Sequence, residues 1–314
     1  MTLADERLKE LDSPLLTTDE RVLLRCAVAA DLIHKGQYEA AQEALGELWP
    51  GLGVRPEIGE LPPLVAAEVL LQCGVLTGWL GRIRSVGGAQ EKAKDLLTEA
   101  LRNFQSQGRH ERVAEAQYEL GICYWRLGAH DEARIVLANA LKHLTDADVE
   151  LKAKILIRRT LVEVWDNRYY EALSILKEAE PVFKSSNEAL KGRWHGQMAL
   201  VLIRLALVEG NTDYTDRAII EFEAAIYHYE QAGHERYCAL NLNNLAMTLY
   251  KLGRYKEAHE HLDRAQMIFT RHKDTGNLAQ IDETRARVLV AEKKYREADR
   301  IIGSVIKTFE AGGE

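Results

Sequence analysis

Apolar residues recur along this chain at fixed offsets from an alanine that returns about every forty residues, at Ala41, Ala93, Ala133, Ala172, Ala218, Ala258 and Ala298. The successive intervals are 52, 40, 39, 46, 40 and 40. Four positions after each alanine stands a large apolar residue: Leu45, Leu97, Leu137, Leu176, Phe222, Leu262 and Ile302. Seven positions after it the residue is mostly small again, as at Ala100, Ala140, Ala179, Ala225 and Ala265. Offsets of zero, four and seven share one face of an α-helix. Twelve positions before the alanine another small residue recurs (Ala29, Gly81, Gly121, Thr160, Ala246, Ala286) and marks a close crossing on a preceding helix. The pattern predicts paired helices stacked by repetition, not one globular core.

Turn signals separate the two helices of each pair. Five positions before the alanine lie Gly36, Gly88, Gly128, Asn167, Gly253 and Lys293, mostly types that accept the left-handed backbone ending a helix. A ring recurs three before it, at Tyr38, His130, Tyr169, Tyr255 and Tyr295. An acid stands directly before it at Glu132, Glu171, Glu257 and Glu297, where the dipole of a starting helix favours negative charge. Thr17-Thr18-Asp19-Glu20 reads as a capping box opening the first long helix.

Several departures break the pattern. Arg159 and Arg285 occupy the place of a leucine thirteen before the alanine. Gly210 lies eight before Ala218, so residues 211–216 are expected to lengthen the fifth turn. Proline and glycine between Pro50 and Pro63 predict a structured loop that joins the first two pairs and can reach into a groove.

The unit Leu242-Asn243-Asn244-Leu245-Ala246, Leu249-Tyr250, Gly253-Arg254-Tyr255-Lys256-Glu257-Ala258, Leu262 and Ala265 resembles the tetratricopeptide repeat. Leu120-Gly121, Tyr124, Gly128, Glu132-Ala133, Leu137 and Ala140 resemble it nearly as well. The spacing exceeds the usual ~34 residues of that family. It is similar to the longer-helix variety of kinesin light chains and bacterial regulators. The resemblance covers roughly residues 18 to 309 and implies an all-α, right-handed superhelical solenoid of about seven helix-turn-helix repeats. The implied divisions are a cap over 1–17, repeats at 18–49, 64–106, 110–145, 148–185, 188–232, 235–272 and 275–310, and a loop over 50–63. The array is expected to end on an open apolar face, which either pairs two copies as a homodimer or meets a continuing chain.

In that family the first helix of each pair lines the concave surface, at positions 18, 15, 14 and 11 before the alanine. Carried over, these positions give Tyr118 and Glu119, with Trp125 nearby, in the third unit and Lys154 and Arg158 in the fourth. Measured from the Gly210 turn they give Gln197 and Arg204 in the fifth, and from the alanine Asn243 and Asn244 in the sixth and Thr284 and Arg287 in the seventh. The two asparagine amides each offer donor and acceptor atoms to an extended peptide backbone. Lys154 and Arg158, one helical turn apart, are suited to a carboxylate. The resemblance to chaperone-binding repeats is incomplete, because Glu119 stands where their clamp has asparagine and would repel a terminal carboxylate.

Composition narrows the classes further. The 314 residues are 46% hydrophobic and 28% charged with six prolines, the profile of a folded, helix-rich chain. A net charge of −7 argues against a nucleic-acid partner, whose binding surface would be basic. No stretch approaches the roughly 18 consecutive apolar residues of a membrane-spanning helix. Cys26, Cys73, Cys123 and Cys238 lie far apart in apolar helical stretches, which fits small hydrophobes in a reducing cytoplasm.

No motif carries chemistry. The ten histidines form no His-Glu-x-x-His, and Gly87-Gly88 lacks the lysine and serine or threonine of a phosphate loop. Neither a metal nor a cofactor is expected. The sequence therefore predicts a non-enzymatic scaffold that binds a peptide or protein segment. Its alternative is the sensory module of a bacterial signalling or transcription regulator.

Overall fold

The computed structural model describes residues 15–311, which form fifteen α-helices joined mainly by short turns. Most of the expected cap over residues 1–17, and the Gly312-Gly313-Glu314 end, lie outside the described residues. The chain forms two compact units, residues 1–162 and 163–314.

The first unit holds α1 (Thr18–His34), α2 (Tyr38–Leu45), α3 (Pro63–Ile83), α4 (Ala89–Ser106), α5 (His110–Arg126), α6 (His130–Leu141) and most of α7 (Val149–Trp165). Consecutive helices pair there as α1 with α2, α3 with α4 and α5 with α6. The second unit holds the end of α7, then α8 (Tyr169–Glu178), α9 (Glu180–Lys184), α10 (Glu188–Glu209) and α11 (Thr212–Gln231). It continues with α12 (Glu235–Lys251), α13 (Tyr255–Arg271), α14 (Thr275–Ala291) and α15 (Tyr295–Ala311). Its main pairs are α10 with α11, α12 with α13 and α14 with α15.

The turns within pairs share one construction. Gly36, Gly128, Asn167, Gly253 and Lys293 all have positive φ, between 57° and 75°. The following residue then donates its N–H back to the helix it has left. Gln37 reaches the Leu32 carbonyl at 2.9 Å, Ala129 that of Tyr124 at 2.9 Å and Arg254 that of Leu249 at 3.0 Å. These bonds satisfy carbonyls that a helix end would leave unpaired. Asn167 and Lys293 take the left-handed state despite their Cβ atoms, so the geometry, more than the residue type, is what repeats.

The second turn differs from its sequence reading. Ser85, at φ 52°, ends α3, while Gly88, at φ 70°, is the N-cap of α4. Ser85 lies eight before Ala93, the offset that Gly210 has to Ala218, so both turns carry three extra residues. In the fifth pair those residues do not form a loop. Asn211 accepts the Asp213 N–H at 3.0 Å and starts α11 at once, so the insertion becomes helix. The fourth pair is also altered: its second helix breaks between α8 and α9, where Pro181 has no N–H to continue the ladder.

Packing explains the small residues. The alanines at Ala41, Ala93, Ala133, Ala172, Ala218 and Ala258 are all 0% exposed. A Cβ added to Gly121 would lie 2.6 Å from Leu137, and one added to Gly81 would collide with the Cβ of Ala89. Arg285 keeps the repeat register in a leucine place. Its stem lies half-buried while its guanidinium reaches Asp263 on α13 at 2.8 Å.

The proline-rich loop packs on the core of the first unit. Trp49 is buried and donates its indole N–H to the Val54 carbonyl at 3.0 Å, and Leu52, Ile58 and Leu61 pack beside it. α3 is long and apolar enough to cross a membrane by length and composition, yet 83% of its most apolar stretch is buried in this core. The four thiols are free and buried. Burial pushes Cys26 and Cys123 up to about 12 and Cys238 up to about 11, which leaves them unreactive at neutral pH. Thr17 and Glu20 close the capping box, with the Thr17 N–H at 2.8 Å from the Glu20 carboxylate.

Replacing glycine by alanine inside a helix normally stabilises it by about 1 kcal/mol. Gly81→Ala is expected to do the reverse and cost ~1–3 kcal/mol through overpacking. Gly303→Ala, in α15 with nothing within 4 Å of the added carbon, should keep the ordinary sign. Thermal melts of both variants against the parent check the contrast.

Candidate functional site

In the first unit, α1, α5 and α7 enclose a pocket of about 320 Å³ lined by His34, Glu111, Glu115, Tyr118, Glu119 and Lys154, among others. Helical spacing sets this lining. Glu115, Tyr118 and Glu119 stand 18, 15 and 14 positions before Ala133, and Lys154 stands 18 before Ala172. Residues three and four apart share a helix face, which brings Glu115, Tyr118 and Glu119 to one side of α5. Asp148 and Glu150, at the start of α7, complete the rim.

The pocket is acidic. Five carboxylates (Glu111, Glu115, Glu119, Asp148, Glu150) stand against one lysine and His34. Lys154 is already committed to Glu150 at 2.7 Å. Asp148 accepts the N–H and hydroxyl of Thr145 at 2.7 and 2.8 Å, which holds it below the usual carboxylate range. Glu115 pairs with Arg112, which also holds Glu68 on α3. Among the described residues Glu119 makes no such fixed ion pair. Burial, and then the neighbouring Glu115 charge, raise its pKa to about 7, against the pull of Arg158, Arg126 and Lys154. A carboxyl poised there gains most from a cation that replaces its lost water.

The structure separates Lys154 from Arg158. Lys154 lines the pocket, whereas Arg158 is only 8% exposed, with its guanidinium 5.0 Å from the Trp125 ring and its Nε buried without a hydrogen-bond partner. The two therefore do not form a carboxylate clamp. An acidic partner would also meet the five carboxylates.

The remaining sequence candidates lie in the second unit, on α10, α12 and α14. Gln197, Asn243 and Asn244 are half-buried, and Arg204 is exposed. Thr284 is buried and donates to the Gln280 carbonyl at 3.1 Å, so it serves its own helix. Arg287 is exposed and paired with Glu283 one turn away. The Asn243 Oδ1 is buried without a hydrogen-bond partner. Asn241, which the repeat offsets passed over, is the amide that packs most tightly: its Nδ2 donates to the Tyr237 carbonyl at 2.8 Å and its Oδ1 fills the space left by Gly196.

Sequence spacing gave no sign of another cluster in the second unit. His195 and His228 stack with ring centroids 5.1 Å apart, and their Nδ1 atoms lie 2.6 Å from Glu221 and Glu188. They border a cavity of about 440 Å³ with Phe183 and Trp194. Among the described residues no group of three histidine, cysteine or acidic side chains is placed to hold a metal ion.

Comparison with known proteins agrees with this architecture. Residues 239–272, which span most of α12 and all of α13, match the tetratricopeptide repeat family model. No curated protein sequence matches the chain. Among solved structures it is similar to BtubC (BKLC) from P. vanneervenii, with a TM-score of 0.59 and 17% identity over 72% of this chain and 92% of that one. It is similar to a Rap protein complexed with competence and sporulation factor, with a TM-score of 0.63 and 20% identity over 93% of this chain and 77% of that one. NprR in complex with its cognate peptide NprX gives a TM-score of 0.60 and 15% identity over 96% of this chain and 81% of that one. At such identities the likeness is one of fold. With helices paired in series, a left-handed turn within each pair and residues 239–272 matching by sequence, the described chain has the architecture of a tetratricopeptide repeat array.

Proposed function

We propose that this protein is a non-enzymatic interaction module that binds a peptide segment on the first-helix face of its first unit, seating a lysine or arginine side chain in the acidic pocket. One observation carries the reading. Groove positions on α5 and α7 converge with His34 of α1 on a cavity in which five carboxylates outnumber the bases. A cationic side chain there would meet Glu119 and Glu115 directly, while Tyr118 offers a ring face to its stem. The half-buried site makes such a pair stronger than a surface ion pair, because water screens it less.

Fold likeness to Rap and NprR, both crystallised with a peptide or factor, favours a sensory role for the same face, in which peptide binding alters how an attached or partner protein behaves. Four buried, unpaired thiols suit a reducing compartment such as the cytoplasm. Nothing in this mechanism makes or breaks a bond. Binding rests on complementarity and charge.

Selection from a random-peptide display library tests the reading. Enriched sequences are expected to carry a lysine or arginine at a fixed position, and Glu119→Gln should weaken them roughly tenfold, or about 1.4 kcal/mol. Enrichment of acidic peptides, or affinity untouched by Glu119→Gln, would overturn it.

Affinity for the basic peptides should also rise as pH passes upward through about 7, since the cation prefers the ionised carboxylate. The free protein should behave oppositely. Glu119 binds its proton more tightly folded than unfolded, so its contribution to stability is full below the ordinary carboxylate pKa. That contribution is lost as pH rises through about 7. Glu119→Gln is thus expected to melt above the parent at pH 8, with the gap closing toward pH 5. Melting curves across that range check the sign.

A further inference from the structure

A second cavity in the first unit has the opposite character. About 350 Å³ of space between the α3–α4 turn and α5 is lined by Gly81, Arg82, Ser85, Val86, Gly87, Gln90 and Arg126. No carboxylate lines it. We propose that this cavity binds an oxyanion, a phosphate or carboxylate group, held between the guanidinium groups of Arg82 and Arg126.

The two arginines play different parts. Arg126 is fixed: its guanidinium lies 4.1 Å from the Trp79 ring, and its Nη1 donates to the Gly78 carbonyl at 3.1 Å. Its Nε is enclosed without a hydrogen-bond partner. Arg82 is exposed and makes no ion pair among the described residues. Gln90 is held to the same Gly78 carbonyl at 2.8 Å, which fixes a third polar side chain on the wall.

Positive charge accumulates here against the trend of a chain whose net charge is −7. Burial lowers the pKa of Arg126, and the like charges of Arg82 and Arg158 lower it further, outweighing Cys123 and Glu119. Two arginines lining one cavity that no carboxylate lines suit an oxyanion, which accepts N–H bonds from a guanidinium. The lengthened turn makes the room. A Cβ added at Gly87 or Gly88 would meet nothing within 4 Å, so the turn faces open space there. Uncapped N–H groups at the start of α4 add donors, but the arginine pair carries the proposal.

An amide NMR titration of the whole chain tests it, using sodium phosphate and sodium acetate at constant ionic strength. Saturable shifts at Gly87, Gly88, Gln90 and the Trp79 indole are expected with at least one anion. Arg82→Ala, at an exposed position, should keep the parent spectrum and weaken binding about tenfold or more. Arg126→Lys, which keeps the charge and loses the fork, should also weaken it. Saturation by phosphate alone assigns a phosphate-bearing ligand, by acetate alone a carboxylate, and by both a general oxyanion. Shifts that never saturate, or equal affinity in Arg82→Ala and the parent, would discard the site. This outcome is independent of the peptide selection, because the acidic pocket contains neither arginine.

Discussion

How near two helices of a pair can come is the constraint behind the remaining geometry of each unit. At Gly81 and Ala89, and at Gly121 and Leu137, no room exists for one more methyl group. Contact that close requires the connecting turn to reverse the chain within a few residues, which the left-handed position and its returning N–H bond accomplish. Dispersion and apolar burial along the seam then hold the pair, since every atom on that face has a neighbour. Once Gly121 is packed against Leu137, the rest of α5 cannot choose its direction. It carries Glu115, Tyr118 and Glu119 into the pocket as a consequence of packing done elsewhere.

Charge is distributed along α5 as its dipole favours. Glu111, Glu115 and Glu119 occupy its first and middle turns, and Arg126 ends it. Acids near a helix start and bases near its end are each stabilised by the peptide dipoles. The same unit holds two cavities of opposite character, an acidic one around Glu119, whose pKa is raised to about 7, and a basic one around Arg82 and Arg126. Arg158, packed on Trp125, acts electrostatically on both Glu119 and Arg126. It is itself buried.

The sequence by itself determined the pairing of helices, the buried alanines, the left-handed turns and the capping box, because those features come from local offsets and residue size. Tyr118, Glu119 and Lys154, named through the resemblance to a repeat family, line one pocket in the structure. Only the tertiary structure decided which of those side chains meet. Arg158 lies one turn from Lys154 in the chain but is drawn beneath Trp125, and His34 joins the pocket from a distant helix. Ser85, not Gly88, ends α3, although glycine is the better left-handed residue. The stacked His195 and His228 sit in different helices and leave no trace in spacing. Periodicity records which way a side chain faces. The partner it finds depends on distances between helices, and those follow from the summed packing of every seam.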